Sequence, residues 1–204
     1  HTVQPGIVYI SFPTESGTLY SKQELTELYT VCQKHNIPLF IDGARLGYGL
    51  MAKKNDVTFE DIANLCDVFY IGGTKVGALF GECIVILNDL YKKDFRYSIK
   101  QHGGMLAKGR MLGIQFEELF KNNRYLTISK HAIDMATILS EGFQSKGYHF
   151  YFPAETNQLF PIFENTKLEE LSKEFAFTPW AKVDETHTAV RFVTSFATKR
   201  ENVE

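Results

Sequence analysis

Hydrophobic residues in the first 90 positions fall into short continuous runs, and amphipathic stretches separate these runs. The runs predict four buried strands, at residues 7–12, 39–41, 68–71 and 83–87. Between them, Ser21 with Glu24 and Thr58 with Asp61 have the spacing of capping boxes, which begin helices. The alternation of strands and helices predicts an α/β fold with a mostly parallel wound sheet.

The second half of the chain has a different pattern. Apolar positions recur at helical spacing over residues 88–146, with breaks near His102 and Asn122. The later segments predict strands at 148–152, 159–163 and 189–194, and a helix around 167–175. We therefore expect a large domain over residues 1–123 and a small C-terminal α+β domain over residues 124–204.

Composition narrows the functional classes. The chain has 204 residues, of which 44% are hydrophobic and 23% charged, as is typical of globular proteins. A formal net charge of −2 leaves no basic surplus for nucleic acid, and no apolar run has membrane-spanning length. Cys32, Cys66 and Cys83 form no CxxC pair, and the six histidines show no metal-ligand spacing. We expect reduced thiols, a cytoplasmic location and no metal site.

Two ionisable residues follow predicted strands and lie beside glycines. Asp42 ends the run Ile37-Pro-Leu-Phe-Ile-Asp, and Lys75 follows Tyr70-Ile-Gly-Gly-Thr. The carboxyl ends of parallel strands meet at one edge of an α/β sheet, where ligands bind. A carboxylate there can keep a pyridine nitrogen protonated, and a lysine amine can hold an aldehyde as a Schiff base. The pair indicates a pyridoxal phosphate site.

Each of these residues also has a purely structural interpretation. Asp42 is equally suited to cap the turn through Gly43 or to pair with Arg45. Lys75 has the alternative of an ordinary loop lysine. The Thr74 hydroxyl suits either a phosphate contact or a tight turn.

Two arginines are candidates for anion binding. The planar guanidinium of Arg45 suits a cofactor oxygen or a substrate carboxylate, with an ordinary ion pair as the alternative. Arg191 interrupts the apolar strand at residues 189–194, where it should point opposite Val190 and Phe192. It is a candidate for a substrate carboxylate, or an outward-facing edge residue.

The segment that ends in Asp42-Gly-Ala-Arg45 resembles the corresponding stretch of threonine aldolases and related β-eliminating lyases. Three other segments resemble the family in the family's order, and these are residues 14–21, 73–75 and 190–194. The resemblance implies the fold of type I pyridoxal phosphate enzymes. It also implies a cytoplasmic homodimer or homotetramer with active sites at subunit interfaces.

The resemblance implies a role for each matched residue. Asp42 contacts the pyridine nitrogen, and Lys75 is the catalytic Schiff-base lysine. Arg45 contacts the cofactor or the substrate, and Arg191 binds the substrate carboxylate. The implied activity resembles that of low-specificity threonine aldolase, which cleaves β-hydroxy-α-amino acids to glycine and an aldehyde. Aminotransfer, β-elimination and a catalytically silent fragment are the alternatives.

The sequence also departs from the family. Members carry a substantial N-terminal segment with a glycine-rich phosphate cup and a residue that stacks on the cofactor ring. Because the chain begins at His1 without Met and soon reaches a strand, we expect it to be a piece of a longer protein. The loop after His102 matches the family only loosely. Lys108 or Arg110 there suits a helix surface, with a contact to a neighbouring subunit's phosphate as the alternative. No general base is evident.

Overall fold

The computed structural model describes residues 1–204 and contains two four-stranded β-sheets. The first sheet has the order β1-β2-β3-β4, in which the first three strands are parallel and β4 is antiparallel to β3. Its strands are β1 (Val8–Ser11), β2 (Leu39–Asp42), β3 (Val68–Gly72) and β4 (Glu82–Ile86). The predicted mostly parallel α/β sheet is confirmed.

Three helices follow the strands of the first sheet, and these are α1 (Lys22–Lys34), α2 (Leu46–Leu50) and α3 (Phe59–Asn64). Both predicted capping boxes are present. Ser21 Oγ accepts from the Glu24 N–H, and the Glu24 carboxylate accepts from the Ser21 N–H at 2.8 Å. Thr58 and Asp61 form the same pair of bonds at the start of α3. Residues three positions apart therefore suffice to begin both helices.

The middle of the chain is helical, as predicted. Its helices are α4 (Phe95–Gln101), α5 (Arg110–Phe120) and α6 (Arg124–Ser145). Short 3-10 turns cover 74–76, 89–91, 121–123 and, near the end of the chain, 200–202. Asn122 and Asn123 have φ values of 53° and 57°, so the chain turns sharply before α6. The predicted break near Asn122 is confirmed.

The second sheet is antiparallel, with β8 pairing to each of its other strands. It contains β5 (Gln158–Leu159), β6 (Ile162–Glu164), β7 (Thr178–Lys182) and β8 (His187–Val193), with helix α7 (Asn165–Leu171) after β6. The strand predicted at 148–152 is wrong, because only Phe150 forms a bridge, to Pro161. The strand predicted at 159–163 divides into β5 and β6 around Pro161, which has no N–H to donate. The predicted helix ends early, at Leu171.

The main core contains 19 buried residues between the first sheet and its helices. Tyr125, Ala132 and Ile133 of α6 belong to it. The same helix contacts the second sheet region, because the Thr194 hydroxyl donates to the Ala132 carbonyl at 2.7 Å. Helix α6 therefore contacts both the residues before the expected boundary between 123 and 124 and those after it. That domain boundary stays a prediction.

One face of the first sheet is uncovered and partly apolar. Tyr9 is 56% exposed and stacks on Phe40, with ring centroids 5.2 Å apart. Ile84 of β4 is also exposed. This face leads along β2 to Asp42. No helix has the length and apolar character needed to cross a membrane.

Candidate functional site

Asp42 is the last residue of β2, and its carboxylate accepts three hydrogen bonds. Oδ1 accepts from the Tyr70 hydroxyl and from the Ala44 N–H at 2.9 Å, and Oδ2 accepts from the Tyr9 hydroxyl. A carboxylate has about four lone-pair positions. One acceptor position on Oδ2 is therefore free for a further donor, such as a protonated pyridine nitrogen.

The surroundings of Asp42 favour the charged carboxylate. Burial opposes its ionisation, but hydrogen bonds from Tyr70, Tyr9 and the Ala44 N–H, with the positive charge of Lys75, lower the pKa of Asp42. The hydrogen bond to Asp42 in turn raises the pKa of Tyr9 to about 12, so this phenol stays a donor. Asp42 both caps the turn at Ala44 and carries a stable negative charge, so its structural interpretation and its candidate function are compatible.

Two glycines bring the Asp42 and Lys75 segments into backbone contact. The Gly72 N–H donates to the Gly43 carbonyl at 2.8 Å. A Cβ added to Gly43 would overlap the Tyr70 carbonyl, and one added to Gly72 would overlap the Ala44 carbonyl. Only residues without a side chain allow the two segments to approach this closely.

Lys75 lies in the 3-10 turn Thr74–Val76, and its side chain is exposed. Its backbone carbonyl accepts a hydrogen bond from the hydroxyl of the buried Tyr48, which holds the turn against α2. The charge of Lys75 acts on Asp42. The structure therefore places the predicted carboxylate and amine at the same edge of the first sheet.

Thr74 faces a carboxylate that the sequence analysis missed. Its hydroxyl lies 3.4 Å from Glu82 Oε1, and the Gly73 N–H donates to Glu82 Oε2 at 2.8 Å. Both donors therefore face the Glu82 carboxylate beside Lys75. The role of Thr74 toward a cofactor phosphate stays a prediction.

Arg191 points to one side of β8 and Phe192 to the other, as the strand period predicts. The Arg191 guanidinium carbon lies 5.5 Å from the centroid of the Trp180 ring, while Phe192 packs on Phe143 with centroids 5.5 Å apart. Trp180 lies at an irregularity in β7 between Pro179 and Ala181. Since the Arg191 side chain is only 23% exposed, the outward-facing alternative is wrong.

The Glu15 carboxylate lies beside Arg191, and its charge also acts on Arg45. Glu15 Oε1 lies 3.6 Å from Arg191 Nη1. Burial lowers the pKa of Arg45; the charges of Glu15 and Asp42 oppose this shift, whereas repulsion from Arg191 adds to it. The predicted substrate-binding arginines thus lie near each other and near Asp42.

Sequence reasoning missed four residues of this site, which are Tyr9, Glu15, Tyr70 and Glu82. Tyr9 pairs with Phe40 in the parallel register of β1 and β2, which places its side chain on the face of Asp42. Tyr70 reaches the same face from β3. The period of two within a strand is the signal for this arrangement, but it identifies the partners only once the strand register is known.

A separate cleft lies elsewhere in the molecule. Its volume is about 510 Å³, and its lining includes Lys146, His149, Lys167 and His187 of the second sheet region. None of the predicted site residues lines it. No group of three or more His, Cys, Asp or Glu side chains is arranged to hold a metal ion. The predicted site residues therefore lie apart from this cleft.

The chain resembles known proteins over most of its length. The model of the beta-eliminating lyase family matches residues 1–166. The low specificity L-threonine aldolase of Pseudomonas sp. (strain NCIMB 10558) is 31% identical over 175 residues, which cover 84% of this chain and 50% of that enzyme. The protein of the same name from Pseudomonas aeruginosa is 30% identical over equal shares. The chain thus spans about half the length of these curated relatives.

Solved structures agree with the sequence matches. Threonine aldolase from Leishmania major is 45% identical, with a TM-score of 0.97 over 100% of this chain and 59% of that one. A putative aminotransferase from Clostridium difficile, described as bound to pyridoxal phosphate, has a TM-score of 0.67 at 14% identity, over 96% of this chain and 55% of its own. At that identity only the fold is shared.

Proposed function

Because the chain belongs to the beta-eliminating lyase family, we propose that it acts in a pyridoxal phosphate-dependent lyase of the threonine aldolase type. Such an enzyme cleaves β-hydroxy-α-amino acids to glycine and an aldehyde. The observation that carries the proposal is the single free acceptor position of the anionic Asp42 at the edge shared with Lys75.

The donor set at this edge fits the cofactor. The Lys75 amine would bind its aldehyde, and Asp42 would accept a hydrogen bond from its ring nitrogen. Thr74 would offer a hydroxyl, and Arg45 a cation, to its oxygen atoms. When bound, pyridoxal phosphate supplies a ring that accepts electrons from the bond that breaks. The protein's part is to keep Asp42 charged, which three hydrogen bonds and Lys75 achieve.

The substrate is held at its carboxylate by Arg191, with Arg45 as the second cation. A guanidinium binds a carboxylate through two parallel hydrogen bonds, which set its orientation as well as its position. Trp180 supports one face of the Arg191 guanidinium. Anchoring the carboxylate here and the amino group near Lys75 selects α-amino acids.

The proposal also covers the cellular location and the oligomeric state of the protein. Cys32, Cys66 and Cys83 are free, which supports a reducing compartment such as the cytoplasm. The exposed aromatic face at Tyr9 and Phe40 supports assembly into a homodimer or homotetramer, since an apolar surface of this kind is stabilised when another subunit covers it.

Borohydride reduction in the presence of pyridoxal phosphate tests the cofactor site. We expect one stable adduct on the peptide that contains Lys75, and none in Lys75→Ala. Lys54→Ala, which removes an exposed lysine elsewhere, should retain the adduct. Equal labelling of Lys75→Ala and the wild type would contradict the assignment.

Product analysis with L-threonine then tests the reaction. Release of glycine and acetaldehyde in equal amounts is the expected result. Formation of a keto acid without acetaldehyde would indicate β-elimination or aminotransfer and overturn the aldolase assignment. Absence of both products in a protein that carries the Lys75 adduct would indicate a catalytically silent chain.

A further inference from the structure

The loop between β1 and α1 is held firmly against the second sheet. Thr14 and Thr18 close the loop through a backbone bond of 3.0 Å and a hydroxyl contact of 2.7 Å, around Gly17 with φ 80°. The fully buried Gln158 donates its side-chain amide to the Glu15 carbonyl at 2.6 Å. Because Gln158 belongs to β5, which pairs with β8, the backbone of Glu15 is fixed beside the strand of Arg191.

The Glu15 side chain is held much more weakly than its backbone. Its carboxylate is 67% exposed, and Oε1 lies 3.6 Å from Arg191 Nη1, beyond ordinary hydrogen-bond distance. An ion pair with one largely exposed partner at this distance contributes little free energy. Arg191 also has a buried Nε without any hydrogen-bond partner. The Arg191 guanidinium can therefore form hydrogen bonds with a ligand carboxylate that are shorter than its 3.6 Å contact with Glu15.

Glu15 also compensates the repulsion between two cations. Its charge opposes the effects of burial and of Arg191 on Arg45. Two partly buried guanidinium groups need an anion nearby, because solvent screens them poorly. An incoming carboxylate that takes over this role releases Glu15 to water without changing the charge between the arginines.

We propose that Glu15 is a specificity-determining residue whose carboxylate lies against Arg191, with Arg45 nearby, until a ligand carboxylate displaces it. The inference rests on the proposed function, in which these arginines bind the substrate. Since Gln158 keeps the backbone in place, the displaced carboxylate stays near the ligand. A ligand with one carboxylate replaces Glu15 charge for charge, whereas a second carboxylate is repelled. The site thus favours monocarboxylic amino acids over acidic ones.

The fluorescence of Trp180 can report the displacement of Glu15 by a ligand carboxylate. Trp180 is the chain's single tryptophan, and its ring lies 5.5 Å from the Arg191 guanidinium. Its fluorescence can be followed while the 204-residue chain is titrated with acetate at constant ionic strength, without cofactor. We expect Glu15→Gln to bind acetate about two- to fivefold more tightly than the wild type, the range of an exposed ion pair. The increase in affinity caused by Glu15→Gln should be larger for succinate, which has two carboxylates, than for acetate.

Glu27→Gln is the matched control, because it removes the same charge from an exposed position on α1 and should bind like the wild type. Arg191→Gln should lose the fluorescence response. Equal acetate affinity in Glu15→Gln and wild type, or no response in either, would overturn the proposal. Because this titration needs neither cofactor nor turnover, its failure leaves the lyase assignment intact. Failure of Lys75 labelling would likewise leave the titration interpretable.

Discussion

The hydroxyl of Tyr48 donates a hydrogen bond to the backbone carbonyl of Lys75, a residue 27 positions later in the chain. Tyr48 lies on α2, directly after the Asp42 segment, and is buried in the core. Burial raises the pKa of Tyr48 to about 12, so its hydroxyl remains a donor at neutral pH. One side chain thus links the segment that carries the carboxylate to the turn that carries the amine.

Tyr48→Phe should loosen that turn. The substitution leaves the Lys75 carbonyl without its partner, and we expect a loss of about 1–3 kcal/mol in the free energy of unfolding. Urea denaturation measures the loss, and hydrogen exchange at the turn locates it. Tyr97→Phe is the control, because Tyr97 is 76% exposed. Equal stability of the two variants would show that the Tyr48 bond contributes nothing.

Tyr125→Phe should destabilise the protein at least as much. The buried Tyr125 hydroxyl accepts from the Gly47 N–H at 3.2 Å and donates to the Gly72 carbonyl at 3.1 Å. Its removal leaves two backbone groups unpaired, for an expected loss of about 2–4 kcal/mol. The urea midpoint should fall while the slope of the transition stays constant. A loss below about 1 kcal/mol, the net contribution of one ordinary hydrogen bond, would argue against a role for both bonds.

Gly43→Ala should be among the most damaging small substitutions in the chain. The new Cβ would overlap the Tyr70 carbonyl, so the strands must separate, at an expected cost of about 3 kcal/mol or more. Gly142→Ala is the matched control within α6, where a Cβ meets nothing within 4 Å. That substitution should instead stabilise the helix by about 0.5–1 kcal/mol. Thermal unfolding distinguishes the two, and similar shifts would contradict the close approach at Gly43.

Tyr70→Phe should raise the pKa of Asp42, because it removes a hydrogen bond that favours the carboxylate. In the native protein this pKa lies below the ordinary value of 3.8. The ionised group therefore contributes stability above that pH, and the contribution disappears as the pH falls through the native pKa. In the variant this acid-side loss should be smaller and should occur at higher pH.

An NMR titration of the Asp42 carboxyl carbon measures that shift, and urea unfolding over the same pH range measures its effect on stability. Tyr9→Phe removes the bond to the other oxygen and should move the pKa in the same direction. An unchanged or lowered pKa in both variants would show that the phenols do not stabilise the charge.

Local signals in the sequence predicted local structure well. Ser21 with Glu24 and Thr58 with Asp61 begin helices because the bonds that cap them join residues three positions apart. Asp42 ends a strand because a continuous apolar run precedes it. Strand β7 went unpredicted, since Pro179 obscures its pattern and its pairing with β8 depends on residues far along the chain.

The same distinction applies to the site. Asp42, Arg45, Thr74 and Lys75 belong to short segments that are informative by themselves, so they could be selected from the sequence. Glu15 could not be selected in this way. It meets Arg191 only because Gln158 fixes its loop to the second sheet, across 143 positions of sequence. Contacts of this range have no period or spacing that a single sequence reveals.

The close approach of Gly43 and Gly72 has a consequence for how such a protein can change over time. Because main-chain atoms set the separation of the two segments, mutations can change the surrounding side chains without moving the Asp42 segment away from the Lys75 segment. Substitutions are then tolerated around Gly43 and Gly72 but not at these two glycines. A scaffold with this property can exchange its outer residues while the geometry of the pair stays constant.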